Sequence, residues 1–176
     1  MSAPTPSRDQ DARATLSDPL VRELLAARLV GVLATLRPDG VVDAVPMWYA
    51  WHGDAVVLAT GSRSRKVRNL AADPRATLLL HDSRPGYEVC GASITGTVEI
   101  VRGPAARPLV ELVHRRYLVA ESADDASVRA FLDSDDVALL LTPTTSVTWD
   151  ERDSEAAEVV RARGWGLPLV PTGPRE

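Results

Sequence analysis

Two short turns set between apolar runs constrain this chain more than any other feature. Val30-Gly-Val-Leu-Ala-Thr-Leu36 is one strand-length run and Val41 to Trp51 is the next, with only Arg37-Pro-Asp-Gly40 between them. Proline at the second position and glycine at the last suit a reverse turn. His52-Gly-Asp54 makes a second turn before the third run, Ala55 to Thr60. Connections this short cannot carry a crossover, so the three strands form an antiparallel meander.

The same reading extends to the rest of the chain. Arg75 to Asp82 is a fourth strand, with the run Ala76-Thr-Leu-Leu-Leu80. Tyr87 to Arg102 is a long fifth strand whose Gly91 and Gly96 suit bends or bulges. Val137 to Thr142 and Ser146 to Trp149 make a last strand, interrupted at Pro143. Helices are expected from Ser17, as cap, to about Leu29; from Ser62 to about Leu70; over 105–118, with the stripe Leu109, Leu112, Val113, Arg116 and Tyr117; and over 124–132. The expected fold is mainly β with peripheral helices: a small six-stranded antiparallel barrel rather than a doubly wound parallel sheet. Residues 1–16 read as a disordered leader, 17–150 as one β-barrel, cofactor-binding domain, and 151–176 as a C-terminal extension in which Trp165 is unusual for a free tail.

Charge and cysteine content narrow the function classes. A net charge of -4 argues against general nucleic-acid binding and makes any basic cluster local. The single cysteine, Cys90, rules out an internal disulfide framework; it fits a reducing cytoplasm and reads as a buried, inert thiol. No stretch is apolar for long enough to span a membrane.

That local cluster is Thr60-Gly-Ser-Arg-Ser-Arg-Lys-Val-Arg-Asn-Leu70, which follows the third strand and opens a helix. It holds Arg63, Arg65, Lys66 (the only lysine) and Arg68, with the hydroxyls of Thr60, Ser62 and Ser64. Cations at a helix N-terminus oppose the helix dipole, at roughly 0.3–1 kcal/mol each. A docked anion reverses that sign. With Ser62 as N-cap, Ser62, Lys66 and Asn69 share one face, and Val67, Leu70 and Ala71 form the core-facing stripe. The stretch is either a solvated basic face or an anion site.

Val45-Pro-Met-Trp-Tyr-Ala-Trp51 is the second informative stretch. Pro46 cannot donate to a ladder and marks an edge or a point of approach. Trp48 and Tyr49 point to opposite faces, so the stretch is either core and dimer contact or an aromatic wall for a flat ring. His52, His81 and His114 lack metal-ligand spacing; His52 reads as a turn residue, His114 as a helix-face residue, and Asp135-Asp136 as a solvated turn. No nucleophile elbow, P-loop or dinucleotide fingerprint is present. A phosphate site and an aromatic wall without a protein nucleophile suit a protein whose cofactor carries the reactivity.

Taken together, Leu33-Ala-Thr-Leu-Arg-Pro-Asp-Gly40, Val45-Pro-Met-Trp-Tyr49, Thr60 to Leu70 with Asp73-Pro-Arg75, Gly96-Thr-Val-Glu99 and Val147-Thr-Trp-Asp150 resemble a known family. The chain is similar, over Leu29 to Asp150, to the split β-barrel flavin/deazaflavin oxidoreductases, the pyridoxamine 5'-phosphate oxidase superfamily, and most of all to the branch using the deazaflavin coenzyme F420. The resemblance implies a homodimer with the cofactor site at its interface and a small-molecule substrate. It implies that Ser62, Lys66 and Asn69 hold the cofactor phosphate beside Thr60, that Pro46, Met47 and Trp48 line the ring, and that Trp149 reaches in from the second chain. Arg63 and Arg65 exceed what one phosphate requires and suit either an acidic polyglutamate tail or plain surface charge. An FMN-dependent enzyme of the same fold, and a non-catalytic flavin- or haem-binding module, are the alternatives.

Overall fold

A computed structural model of the chain describes residues 14–84, 88–118 and 135–164. Most of the expected leader, the expected 124–132 helix, residues 85–87 and the Trp165 segment lie outside these residues. The described elements are helix α1 (Pro19–Ala26), strands β1 (Gly31–Leu36), β2 (Val42–Met47), β3 (Tyr49–His52) and β4 (Ala55–Gly61), helix α2 (Arg65–Ala72), strands β5 (Arg75–Arg84) and β6 (Glu88–Val101), helix α3 (Arg107–Tyr117), strand β7 (Asp136–Asp150) and helix α4 (Glu155–Ala162). Among the described residues no helix is long and apolar enough to cross a membrane.

The strands form one antiparallel sheet in the order β2-β1-β5-β6-β7-β4-β3. Its two edge strands, β2 and β3, are separated in sequence by Trp48 alone. The sheet therefore curls until its edges meet end to end at that residue, which closes one corner and leaves β2 and β3 unpaired with each other: a split barrel. Seven strands replace the expected six because the single strand foreseen over Val41–Trp51 breaks at Trp48. Both foreseen turns are present, and Gly40 (φ 82°) and Gly53 (φ 59°) take the left-handed backbone that favours glycine.

Alternation along the strands places the core. Leu33, Leu58, Leu78, Leu80, Ile94, Leu139 and Leu141 fill the barrel, joined by Val21, Leu24 and Leu25 of α1. A second cluster lies outside β3, β4 and β7, where Val110 and Val113 of α3 cover Ala50, Val57 and Ala138. Cys90 is buried, and burial pushes its thiol up.

Four local expectations are corrected. α1 is capped by Asp18 rather than Ser17: its carboxylate accepts from the amides of Leu20 (2.8 Å) and Val21 (3.2 Å). α2 starts at Arg65 with Ser64 at the cap position, because Gly61–Ser64 closes a turn first (Ser64 N to Gly61 O, 3.0 Å). Ala71 is exposed, leaving Val67, Asn69 and Leu70 as the buried face of α2. β7 runs unbroken through Pro143, because the register slips between Thr95 and Gly96, and the Thr144 hydroxyl donates to the Thr95 carbonyl (3.1 Å) beside the proline.

Candidate cofactor site

A cleft of about 490 Å³ opens where β2 passes into β3. Pro46, Met47 and Trp48 form one wall, the β4 end (Ala59, Thr60, Gly61) another, and Val113 and His114 of α3 with Asp136 of β7 the floor; Val30 closes a side. Trp48 is held by α3: its indole stacks on the Tyr117 ring (5.0 Å, 1° between planes) and meets His114 edge-on (6.4 Å, 82°). The wall is therefore preset, since both partners of Trp48 sit on a packed helix.

The polar rim of the cleft comes from the first turn of α2. The Lys66 ammonium donates to the Thr60 hydroxyl (3.0 Å), which in turn donates to Ser64 Oγ (3.4 Å). Burial pulls the Lys66 ammonium below its ordinary range, against the opposing pull of Asp43 and Asp136. The Arg65 guanidinium lies 3.6 Å from the Asp43 carboxylate. Ser64 makes no side-chain cap bond, and the first turn of α2 has no acidic residue.

A second basin of about 430 Å³ lies across α2, between Arg37 and Pro38 of the first turn and Arg65, Arg68 and Asn69. Asn69 is buried, its amide donating to the Thr35 hydroxyl (3.1 Å), which donates to the Asp43 carbonyl (3.4 Å). Arg68 donates to the Arg63 carbonyl (2.7 Å), and the Arg63 residue is exposed.

The candidate residues are thus sorted between these places. Pro46, Met47, Trp48 and Thr60 line the cleft, with Lys66 bonded at its rim; Arg65 and Asn69 line the basic basin. Ser62, Lys66 and Asn69 do not share a face: Ser62 precedes the helix, and its hydroxyl donates to the Asp135 carboxylate (2.5 Å). Trp149 lies near the far end of β7, opposite Gly91 and 6.4 Å from the His81 ring, away from this chain's own cleft. His114 and Asp136, 3.6 Å apart, were missed as cleft residues. Their signal was positional: His114 follows Val110 by four residues on the apolar side of α3, where a lone imidazole is placed by packing.

The chain belongs to the pyridoxamine 5'-phosphate oxidase family, whose model matches residues 17–149. Its superfamily comprises split barrels that bind flavin and deazaflavin cofactors. Among solved structures, it is similar to a conserved hypothetical protein from Mycobacterium tuberculosis (28% identity, covering 90% of this chain and 92% of that one, TM-score 0.64). It is also similar to an F420 reductase (30% identity, 72% and 94% coverage, TM-score 0.55). A haem-binding protein from Mycobacterium smegmatis shares the fold (22% identity, 89% and 62% coverage, TM-score 0.52). Among curated proteins no match is found.

Proposed function

We infer that this protein is an oxidoreductase that uses reduced F420 to pass a hydride to an unsaturated small organic substrate. One observation carries the reading: an aromatic, largely apolar cleft and a three-arginine basin both abut the first turn of one helix. That helix opens with cations, no acid and no side-chain cap, which is unfavourable until an anion docks there. A flat ring in the cleft with its phosphate at Lys66 and Thr60 matches this donor set, and Arg37, Arg65 and Arg68 suit the acidic tail of a deazaflavin. The 30% identity to an F420 reductase supports the same choice over FMN.

When bound, the deazaflavin supplies the hydride. The chain's part is to orient ring and substrate against the Pro46–Trp48 wall and keep water off them. A homodimer completes the site. The outer face of the sheet sets Pro46, Val32, Leu79, Ser93 and Val147 in one cross-strand row, with Val147 67% and Leu79 37% exposed. A two-fold axis along β5, the middle strand of this row, lays a second copy's β7 over β2. That brings its Trp149 towards the cleft edge at Pro46.

The test is binding of F420, FMN and haem side by side, by fluorescence and absorbance. F420 is expected to bind most tightly; tight FMN or haem binding with no F420 affinity refutes the assignment. Lys66→Ala is expected to weaken F420 binding by about 10- to 100-fold, the equivalent of one charge-assisted contact, with an unchanged circular dichroism spectrum. Unaltered affinity removes Lys66 from the phosphate site.

A further inference from the structure

Reduction of an activated double bond consumes a hydride and a proton, and the proposed cofactor supplies only the first. We propose that His114 and Asp136 form the proton-delivering pair of the cleft, with His114 donating to the substrate and Asp136 returning the proton from the solvent side. This rests on the reductase reading above and assigns a role within the same site.

The geometry is specific. Both residues line the cleft, His114 in edge contact with Trp48, so a substrate bound there lies near them. His114 Nε2 and Asp136 Oδ2 are 3.6 Å apart, with side-chain exposures of 4% and 11%. The imidazole is fixed by α3 and by the edge of Trp48. Asp136 begins β7 beside the exposed Asp135 and opposite the exposed Gly61, which puts it at the solvent-facing end of the floor. The charged groups around the pair are few. Lys66, from α2, is coupled to Asp136. On α3 itself, Arg115 is turned to Glu111 and Arg116 to the carbonyls ending α1. Burial lowers the His114 pKa and Asp136 raises it, with burial the larger effect. Once protonated, this imidazolium is therefore a stronger acid than an ordinary one and gives up its proton readily.

With an enone as substrate the step balances. The hydride forms a C–H bond at the β-carbon, and the double-bond electron pair moves to the α-carbon and the carbonyl oxygen. An N–H bond of the imidazolium breaks, a C–H bond forms at the α-carbon, and neutral imidazole remains. Solvent restores its proton through the Asp136 carboxylate. The substrate gains two electrons and the deazaflavin loses two.

The first experiment needs no turnover. The three histidine Cε1–H signals are followed by proton NMR against pH and against oxidised F420, with His114→Asn assigning one of them. The His114 signal is expected to titrate below the usual histidine range, to titrate lower still in Asp136→Asn, and to shift when F420 fills the cleft. A His114 signal that does not titrate between pH 4 and 8, or that ignores bound F420, overturns the proposal. If F420 does not bind at all, the reductase reading itself fails. The second experiment takes, from a panel of cyclic enones, the one the native protein reduces fastest. His114→Asn is expected to lose about 10²-fold in kcat at saturating F420. Asp136→Asn, which leaves α3 untouched, is expected to move the pH profile of kcat to lower pH. Native rates and an unmoved profile in both variants overturn proton delivery while leaving the reductase reading standing.

Discussion

Tyr49 shows how one side chain ties the barrel to its helices. Its phenol lies 2.7 Å from the Leu24 carbonyl and 3.0 Å from that of Ala27, at the end of α1. Arg116 of α3 donates to the neighbouring Leu25 carbonyl and shares that of Ala27, and its guanidinium carbon sits 5.2 Å from the Tyr49 ring centre. Burial, with a smaller push from Tyr117, raises the Tyr49 pKa to about 12. The sign follows from linkage. The folded state keeps the phenol proton where the unfolded chain has lost it, so stability is complete below pH 10 and falls as pH rises from 10 to 12. The loss is roughly 2–3 kcal/mol by the top of that window. Tyr49→Phe is expected to cost about 1–2 kcal/mol at neutral pH, by leaving the α1 carbonyls without the phenol donor, and to abolish this share of the alkaline loss. Urea unfolding of both proteins from pH 7 to 12 checks the two effects together. An identical alkaline slope in the variant refutes the assignment. Burial of Tyr49 was not legible in Val45–Trp51, because alternation separates Trp48 from Tyr49 without saying which faces the core.

Among the secondary elements, β6 and β7 depend most on glycine. A Cβ on Gly91 would fall 2.1 Å from Trp149 Cζ2 and 2.8 Å from the Leu80 carbonyl oxygen, so the missing side chain is the space in which the indole lies. A Cβ on Gly96 would meet the Thr142 carbonyl oxygen at 2.1 Å, where the two strands change register. Gly91→Ala is therefore expected to destabilise by about 1–3 kcal/mol and to alter the near-ultraviolet dichroism of Trp149. Thermal unfolding with that spectrum is the check, and an unchanged melting temperature contradicts the packing account. Both glycines were recognisable as special in a strand-length run. The reasons differ, close indole packing at one and a bulge at the other, and they depend on which residue of β7 lies opposite. The start of α2 was misplaced for a similar reason. Ser62 and Ser64 are equally good caps on paper, and the turn closed by Ser64 N–H on Gly61 decides between them.

For the molecule as a whole, the consequence is the uncovered outer sheet face. Val42 is 63% exposed on it, in addition to Val147 and Leu79, which offers apolar surface for the proposed second copy to cover. Leu79→Asp combined with Val147→Asp is expected to convert the proposed dimer to a monomer and to weaken F420 binding in parallel. Light scattering after size exclusion gives the mass. A variant that stays dimeric shows that the second copy sits elsewhere. The sequence alone determined the strand runs, the reverse turns at Gly40 and Gly53 and the basic stretch after β4, because periodicity and turn chemistry act over a few neighbouring residues. Only the tertiary structure decided that β2 and β3 break at Trp48 to close the barrel. It also decided that Lys66 and Asn69 face different basins, and that His114 and Asp136, from distant segments, share a cleft floor. Those outcomes depend on how far the sheet curls and on what packs against it. That information belongs to contacts between remote parts of the chain and to no local pattern.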